Sequence, residues 1–303
     1  MNPAERIPLF DEWGHLIWTD RNEFRHHVIP QNMEADWDHA ESLYAFVVQL
    51  YKDGFMEEAG RGADRLLELT DRSEEALLLK SLILMRQERD EEAKSLLQEC
   101  MEQYPERGVA HTYLARIYLA DSEREKGILT LREGLNREPN QESALRVLIQ
   151  WQNDRDQLKA WLREWSQLEG AWWPPLELGK LLADEGHISE AMERFEQVID
   201  FVKTYRNDEG QPAWEEEVAA MTISACLRKH GHHDELIQFC NRHWSPTYFT
   251  PFHGLDYAQS LIETGQRDRA VEVLNQMLQY VDEPYHNMVQ LKVTQTEHPE
   301  ARP

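Results

Sequence analysis

Glu74 to Arg107 reads EEALLLKSLILMRQERDEEAKSLLQECMEQYPER, and the way its apolar residues fall decides the fold. Leu77, Leu78, Ser81, Leu82 and Leu84 follow helical spacing, with a small residue set inside the stripe. Gln87-Glu88-Arg89-Asp90 is a polar turn. Ala93, Leu96, Leu97 and Cys100 then make a second stripe, which Tyr104-Pro105 ends because proline cannot continue a helix. Two amphipathic helices joined by a short turn predict an αα-hairpin, with Ser81 and Ala93 small where the helices approach closely. The echo begins near Ala40 and returns at Glu74, Gly108 and Glu142, and Tyr104-Pro105 and Glu138-Pro139 close successive units 34 residues apart. A fixed period of that length predicts one small unit stacked on copies of itself, not a globular core around an active site.

The next unit carries Leu114-Ala115 and Tyr118, then Gly127, Leu131, Gly134 and Pro139. Leu178-Gly179, Leu182, Gly186, Ala191 and Phe195 repeat the pattern, as do Tyr257-Ala258, Leu261, Gly265, Ala270 and Leu274. The first unit has Phe46, Leu50, Gly54 and Ala59, with Ala63 weakening the large aromatic position. These residues resemble the tetratricopeptide repeat, bacterial in type, whose pattern is W-x2-L-G-x2-Y…A-x3-F…P. Two units depart from it: Glu142 to Ala171 is short and places Trp161 where a small residue belongs, and the unit from Glu217 carries Leu236 and Cys240 in its second helix. Between them Asp200 to Arg206 prolongs a helix, Asn207-Asp208-Glu209-Gly210 loops, and Pro212 opens the next helix early. The resemblance implies an all-α fold, an α-α superhelix: a solenoid of about seven helical hairpins with a short non-repeat N-terminal arm. The solenoid covers residues 37–284, with units starting near 40, 74, 108, 142, 172, 217 and 251.

The ends differ from the middle. In the arm, residues 1–36, Leu9-Phe10, a turn at Asp11-Glu12-Trp13-Gly14 and His15-Leu16-Ile17-Trp18 predict a β-hairpin. Asp20 with Glu23 predicts a helix start, and Pro30 its stop. Residues 285–303 predict a capping helix from Pro284-Tyr285 to Val293 and a frayed tail from Thr294.

The 56 acidic and 32 basic residues leave a formal charge of −24, which argues against nucleic acid and anionic lipid as partners. Three cysteines, Cys100, Cys226 and Cys240, form no disulfide framework and point to a reducing compartment. The start, Met1-Asn2-Pro3-Ala4-Glu5-Arg6, has no signal-peptide pattern, and no apolar run is long enough to span a membrane. A soluble, cytoplasmic protein is the expectation.

The resemblance implies a concave groove lined by the first helix of each unit, with ligand contacts at fixed positions of that helix. Carried onto this sequence, those positions are Tyr44, Val48 and Tyr51; Leu78, Leu82 and Met85; Thr112, Arg116 and Leu119; Arg146 and Gln150; Leu176 and Lys180; Met221 and Arg228. Apolar anchoring near Tyr44, Leu78 and Leu82 is expected, with Arg116, Arg146 and Lys180 selecting a partner with an acidic segment; alternatively each cation pairs with a neighbouring Glu. The helix from Glu75 to Arg86 is apolar all round, so something covers it: the Trp13/Trp18/Phe24 arm or a foreign partner. The chaperone-binding carboxylate clamp of the family has no counterpart in Tyr44/Val48, Leu78/Leu82 and Thr112/Arg116, which disfavours that role.

Trp151, Trp161, Trp165, Trp172 and Trp173 read either as core filling or as an aromatic hot spot with Trp173 at the groove. Cys226, His230, Cys240 and His243 have spacings that suit a zinc site, against the plainer reading of a packed cysteine and a polar turn. No metal or cofactor is expected, and no nucleophile elbow, phosphate loop or His-Glu zinc motif supports catalysis. The expected function is a non-enzymatic module that binds a peptide or partner helix in its groove. The alternatives are a homo-oligomer assembled through the arm and a peptide-sensing regulator.

Overall fold

The computed structural model describes residues 6–10, 15–206 and 210–298. The turn expected at Asp11 to Gly14, the loop at Asn207 to Glu209 and the tail beyond His298 lie outside the described residues. The chain divides into two compact units, Met1–Glu138 and Pro139–Pro303.

In the first unit, β1 (Arg6–Phe10) and β2 (Leu16–Asp20) pair antiparallel with Ile7 opposite Thr19. Asp20 caps the helix that follows, its side chain accepting from the amides of Asn22 and Glu23 at 2.9 Å. That helix runs as α1 (Arg21–Glu23), a π-helical turn (Phe24–Val28) and α2 (Ile29–Asp36). Pro30 therefore does not stop it. The widened π turn lies where the proline ring would otherwise meet the preceding carbonyls, so the chain continues helical through Ile29 and Met33, both buried.

Three hairpins follow: α3 (Ala40–Lys52) with α4 (Met56–Leu69), α5 (Glu74–Arg86) with α6 (Asp90–Gln103), and α7 (Val109–Ala120) with α8 (Arg124–Arg137). Within this unit α4 also packs on α5 and α6 on α7, and α3, α5 and α7 adjoin in turn. Leu77, Ser81, Ala93 and Leu97 are fully buried between α5 and α6, and Ser81 Oγ donates to the Leu77 carbonyl at 2.7 Å. Each buried leucine contributes about 1.5–3 kcal/mol to the hairpin.

The second unit contains α9 (Glu142–Trp151), α10 (Arg155–Trp165), α11 (Trp173–Asp184), α12 (Ile188–Val202), α13 (Trp214–Lys229), α14 (His233–His243), α15 (Phe252–Glu263), α16 (Arg267–Met277) and α17 (Glu283–Glu297). Thr294 falls inside α17, so the helix runs past the expected fraying point. Gly179 sits where α11 meets α12: a Cβ there would lie 2.5 Å from Phe195 Cε1, so only glycine lets the helices close. In the short unit, Trp161 and Trp165 are buried with ring centroids 6.4 Å apart. Trp172 stacks on Trp173 at 4.4 Å, and Asn140 Oδ1 accepts from both of their amides at 2.8 and 3.0 Å.

The stretched connection from α12 to α13 is fastened by buried polar groups. Glu216, fully buried on α13, takes a bidentate ion pair from Arg206 and a 3.0 Å hydrogen bond from the Tyr248 hydroxyl. Its neighbour Glu217 accepts from the amides of Phe249 and Thr250 at 2.8 and 2.6 Å, fixing the chain that enters α15. Paired and hydrogen-bonded in this way, two buried carboxylates are tolerated.

Candidate functional site

In the first unit the faces of α3, α5 and α7 form one strip. Tyr44 is 37% exposed, and Val48, Tyr51, Leu78, Leu82 and Met85 are half-buried. Burial, then Glu75 and Tyr113 beside it, push the Tyr44 hydroxyl pKa up. Arg86 lies 5.9 Å over the Tyr51 ring and Arg116 5.7 Å over the Tyr113 ring, so the strip mixes apolar surface with aromatic-bound cations. Thr112 and Leu119 sit in the core instead, and Tyr113 takes the half-buried place on α7.

The arm's described contacts are elsewhere. Phe24 packs against Phe55 with centroids 5.5 Å apart, Arg21 lies 4.0 Å over the same ring and donates to the Asp53 carbonyl at 2.6 Å, and Arg25 pairs with Glu58 at 2.9 Å. Phe24 is thus seated at the α3–α4 turn and on α4, where Phe55 offers it a buried aromatic face. Trp18 is 57% exposed, and Trp13 lies outside the described residues.

The second unit holds a cleft of about 460 Å³ between α13, α15 and α17. Met221, Ala225 and Arg228 come from α13, Phe252, Leu255 and Gln259 from α15, and Met288, Leu291 and Gln295 from α17. These residues recur three and four apart on each helix, so one face of each points inward. Phe252 is 42% exposed, Met288 38% and Leu291 59%, an unusual amount of open apolar surface on neighbouring helices. Arg228 pairs across the cleft floor with Asp256 at 2.7 Å, and Lys292 donates to Gln259 Oε1 at 2.6 Å. Burial raises the pKa of Asp256, opposed by Arg228 and the Ser224 hydroxyl.

The other expected groove residues are scattered in role. Arg146 pairs with Glu142 and stays exposed beside Gln150, and Lys180 pairs with Glu177 at 2.7 Å. Trp173 and Leu176 are buried. The groove positions expected from the sequence end at Arg228. The same positional rule applied to α15 finds Phe252, Leu255 and Gln259, whereas one period further on it selects the buried Val289 and Val293 and misses Met288, Leu291 and Gln295.

Cys226, His230, Cys240 and His243 do not converge. His230 Nε2 meets Asp184 at 2.7 Å, Cys240 Sγ meets His253 Nε2 at 3.9 Å, and His243 is held between Lys203 and Glu196. Among the described residues no group of three or more His, Cys, Asp or Glu is placed to hold a metal. Burial pushes the Cys226 thiol up to about 11 and the Cys100 thiol up to about 12, with nearby acidic groups adding to it, so neither is a ready thiolate at neutral pH. No described helix is long and apolar enough to cross a membrane.

Residues 75–107 match the family model of the tetratricopeptide repeat. The chain carries that repeat, and its fold is that of an all-α tetratricopeptide array. The yeast Tom70 crystal structure aligns with 90% of the chain at 8% identity and a TM-score of 0.50; the chain spans 58% of the length of that Tom70 chain. Two further similar structures are the TPR2AB domain of yeast Sti1 in complex with pHSP90 (16% identity, 86% of this chain and 94% of that one, TM-score 0.35) and YrrB, described as a TPR protein with an unusual peptide-binding site (16%, 89% and 98%, 0.32). No curated protein matches.

Proposed function

We propose that the chain is a non-enzymatic, cytoplasmic protein-binding module that holds a peptide segment or partner helix against the faces of its first helices. The cleft between α13, α15 and α17 is its main anchor. One observation carries this reading: one face of each of α13, α15 and α17 lines the cleft, with Phe252, Met288 and Leu291 open to solvent. Burying two apolar partner side chains there gains about 3–6 kcal/mol gross, at about 1.5–3 kcal/mol each. Association costs offset much of that, so affinity is micromolar in order. Arg228 and Lys292 flank the apolar floor with a single lining carboxylate, Asp256, which favours an acidic residue beside the partner's anchors. The strip of Tyr44, Val48, Tyr51, Leu78, Leu82, Met85 and Arg116 offers the first unit a like surface.

Peptide arrays binned by charge and amphipathicity test this. Acidic amphipathic peptides are expected to be retained by the native chain and at least tenfold less by Leu291→Asp, whose exposed position leaves the fold intact by circular dichroism. Equal retention by Leu291→Asp removes the cleft from the site.

A second reading is assembly of copies through the arm, favoured by Leu16 and Trp18, which share one face of β2 and are each more than half exposed. Light scattering decides it: a monomer at high concentration excludes that assembly.

A further inference from the structure

A histidine sits in the second unit between a lysine and a carboxylate. His243 ends α14 and is 8% exposed. Its Nε2 lies 2.7 Å from Glu196 Oε2 on α12, and its Nδ1 lies 2.6 Å from Lys203 Nζ in the 3₁₀ turn, Lys203–Tyr205, that follows α12. An ammonium has only donors, so Nδ1 must present its lone pair and the ring proton must reside on Nε2, donated to Glu196. The ring is therefore neutral, and its tautomer is set by its two neighbours. A second proton has only Nδ1 to occupy, and there it would face a cationic donor at hydrogen-bond distance.

We propose that His243 is a proton-operated latch: protonation at Nδ1 expels the Lys203 ammonium and frees the turn that leads from α12 to α13. The imidazolium keeps Glu196, which it binds more strongly once charged, so the break falls on the lysine side. Lys203 is only half-buried and reaches water without disturbing the core.

The other charged and titratable groups around the pair agree with this direction. Glu196 and Asp200 come from α12, Arg206 from the connection, Glu216 from α13, Arg242 from α14, Tyr248 from the following loop and His253 from α15. Arg242 shares Glu196 with His243, and Arg206 is spoken for by Glu216. Tyr248 donates to the His243 carbonyl at 3.0 Å, and the Phe239 ring covers the imidazole with centroids 4.9 Å apart. Burial lowers the pKa of His243, with Lys203 and Arg242 lowering it further against Glu196; Lys203 is lowered too, burial first. The latch is closed at neutral pH and opens on acidification below the ordinary histidine range.

Hydrogen exchange of the full chain, corrected for intrinsic rates, reads the amides of 203–206 at pH 8 and pH 5. Those amides are expected to exchange at least tenfold faster at pH 5 in the native chain. In His243→Gln, an amide keeps both hydrogen bonds and cannot titrate, and the difference is expected to vanish. If that variant does not fold, Lys203→Met answers the same question. Its turn is released at both pH values, and the His243 ring signals titrate at higher pH because the neighbouring cation is gone. Equal protection of the native chain at both pH values overturns the proposal. So does a His243→Gln that keeps the native pH response, or a His243 midpoint unmoved by Lys203→Met.

Discussion

The hairpin α5–α6 and the hairpin α13–α14 are built to one plan but closed by different chemistry. Between α5 and α6 the buried contacts are mainly Leu77, Ser81, Ala93, Leu97 and Cys100, small or apolar and at helical spacing within one repeat; buried Lys80 reaches back to Gly60 and Asp64 of the repeat before. Around α13 and α14 the buried groups include Glu216, Glu217 and His243, and their partners come from α12, the α12–α13 connection and the loop into α15. A regular repeat closes mainly through its own apolar stripe. A stretched one needs directional bonds to hold the extra chain.

Removing one bond from each hairpin breaks or sharpens that contrast. Glu216→Ala is expected to destabilise the second unit by about 3–5 kcal/mol, because it leaves Arg206 without its carboxylate and removes one of the two acceptors of the Tyr248 hydroxyl. Leu97→Ala in the first unit costs about 2–5 kcal/mol through a cavity. The distinguishing measurement is rescue. Glu216→Gln, which keeps the shape and one acceptor, should recover part of the loss, whereas no polar substitute restores Leu97. Buried Trp161, Trp165, Trp172 and Trp173 make tryptophan fluorescence a denaturation probe of the second unit. A Glu216→Ala chain as stable as the native one would show the polar fastening to be dispensable.

These two kinds of closure also explain what the sequence could show. The period, the small residues at Ser81 and Ala93 and the Gly179–Phe195 contact are local, so the hairpins were legible from spacing alone. The fastening of α13 was not: Tyr248 lies 32 residues from Glu216 and His243 lies 47 from Glu196, and such polar pairs leave no mark on the spacing of apolar residues. The expected groove positions followed from a rule, but their exposure did not. The positional rule selects Tyr44 and Leu82, which are accessible, and equally Thr112 and Trp173, which the core takes because they are small or deeply placed. Pro30 misled for a local reason, since a π turn is not visible as a change in apolar spacing.

Acid separates the two units next. His111 in the first is held down to about 4 by burial, with Arg137 adding to it, and His253 in the second to about 3, by burial and then His243. In the unfolded chain a histidine takes its proton near 6.5, so as pH falls the unfolded state binds protons first. Stability is whole above about pH 6.5 and declines below it until each folded group titrates. By pH 5 His111 and His253 each cost about 2 kcal/mol, at about 1.4 kcal/mol per pH unit. The second unit holds the lowered His243 in addition to His253, so its exchange protection should fall further between pH 7 and pH 5. His111→Leu should flatten the first unit's response alone. Equal slopes in both units would break the contrast.

The smallest test lies within the regular hairpins themselves. Gly54, Gly186, Gly231 and Gly265 occupy the turn between paired helices at φ of 73 to 81°, but Glu88 and Ser122 hold the same place at φ of 60° and 66°. A side chain in that left-handed region crowds its own backbone, at about 1–2 kcal/mol, which glycine avoids at the expense of more freedom in the unfolded chain. Glu88→Gly and Ser122→Gly should therefore each raise the stability of the first unit by about 0.5–1 kcal/mol, seen as a higher denaturation midpoint at unchanged slope. A fall in midpoint would mean that the Glu88 or Ser122 side chain contributes more than the strain it causes, and that even the regular hairpins are held partly by polar contacts at their turns.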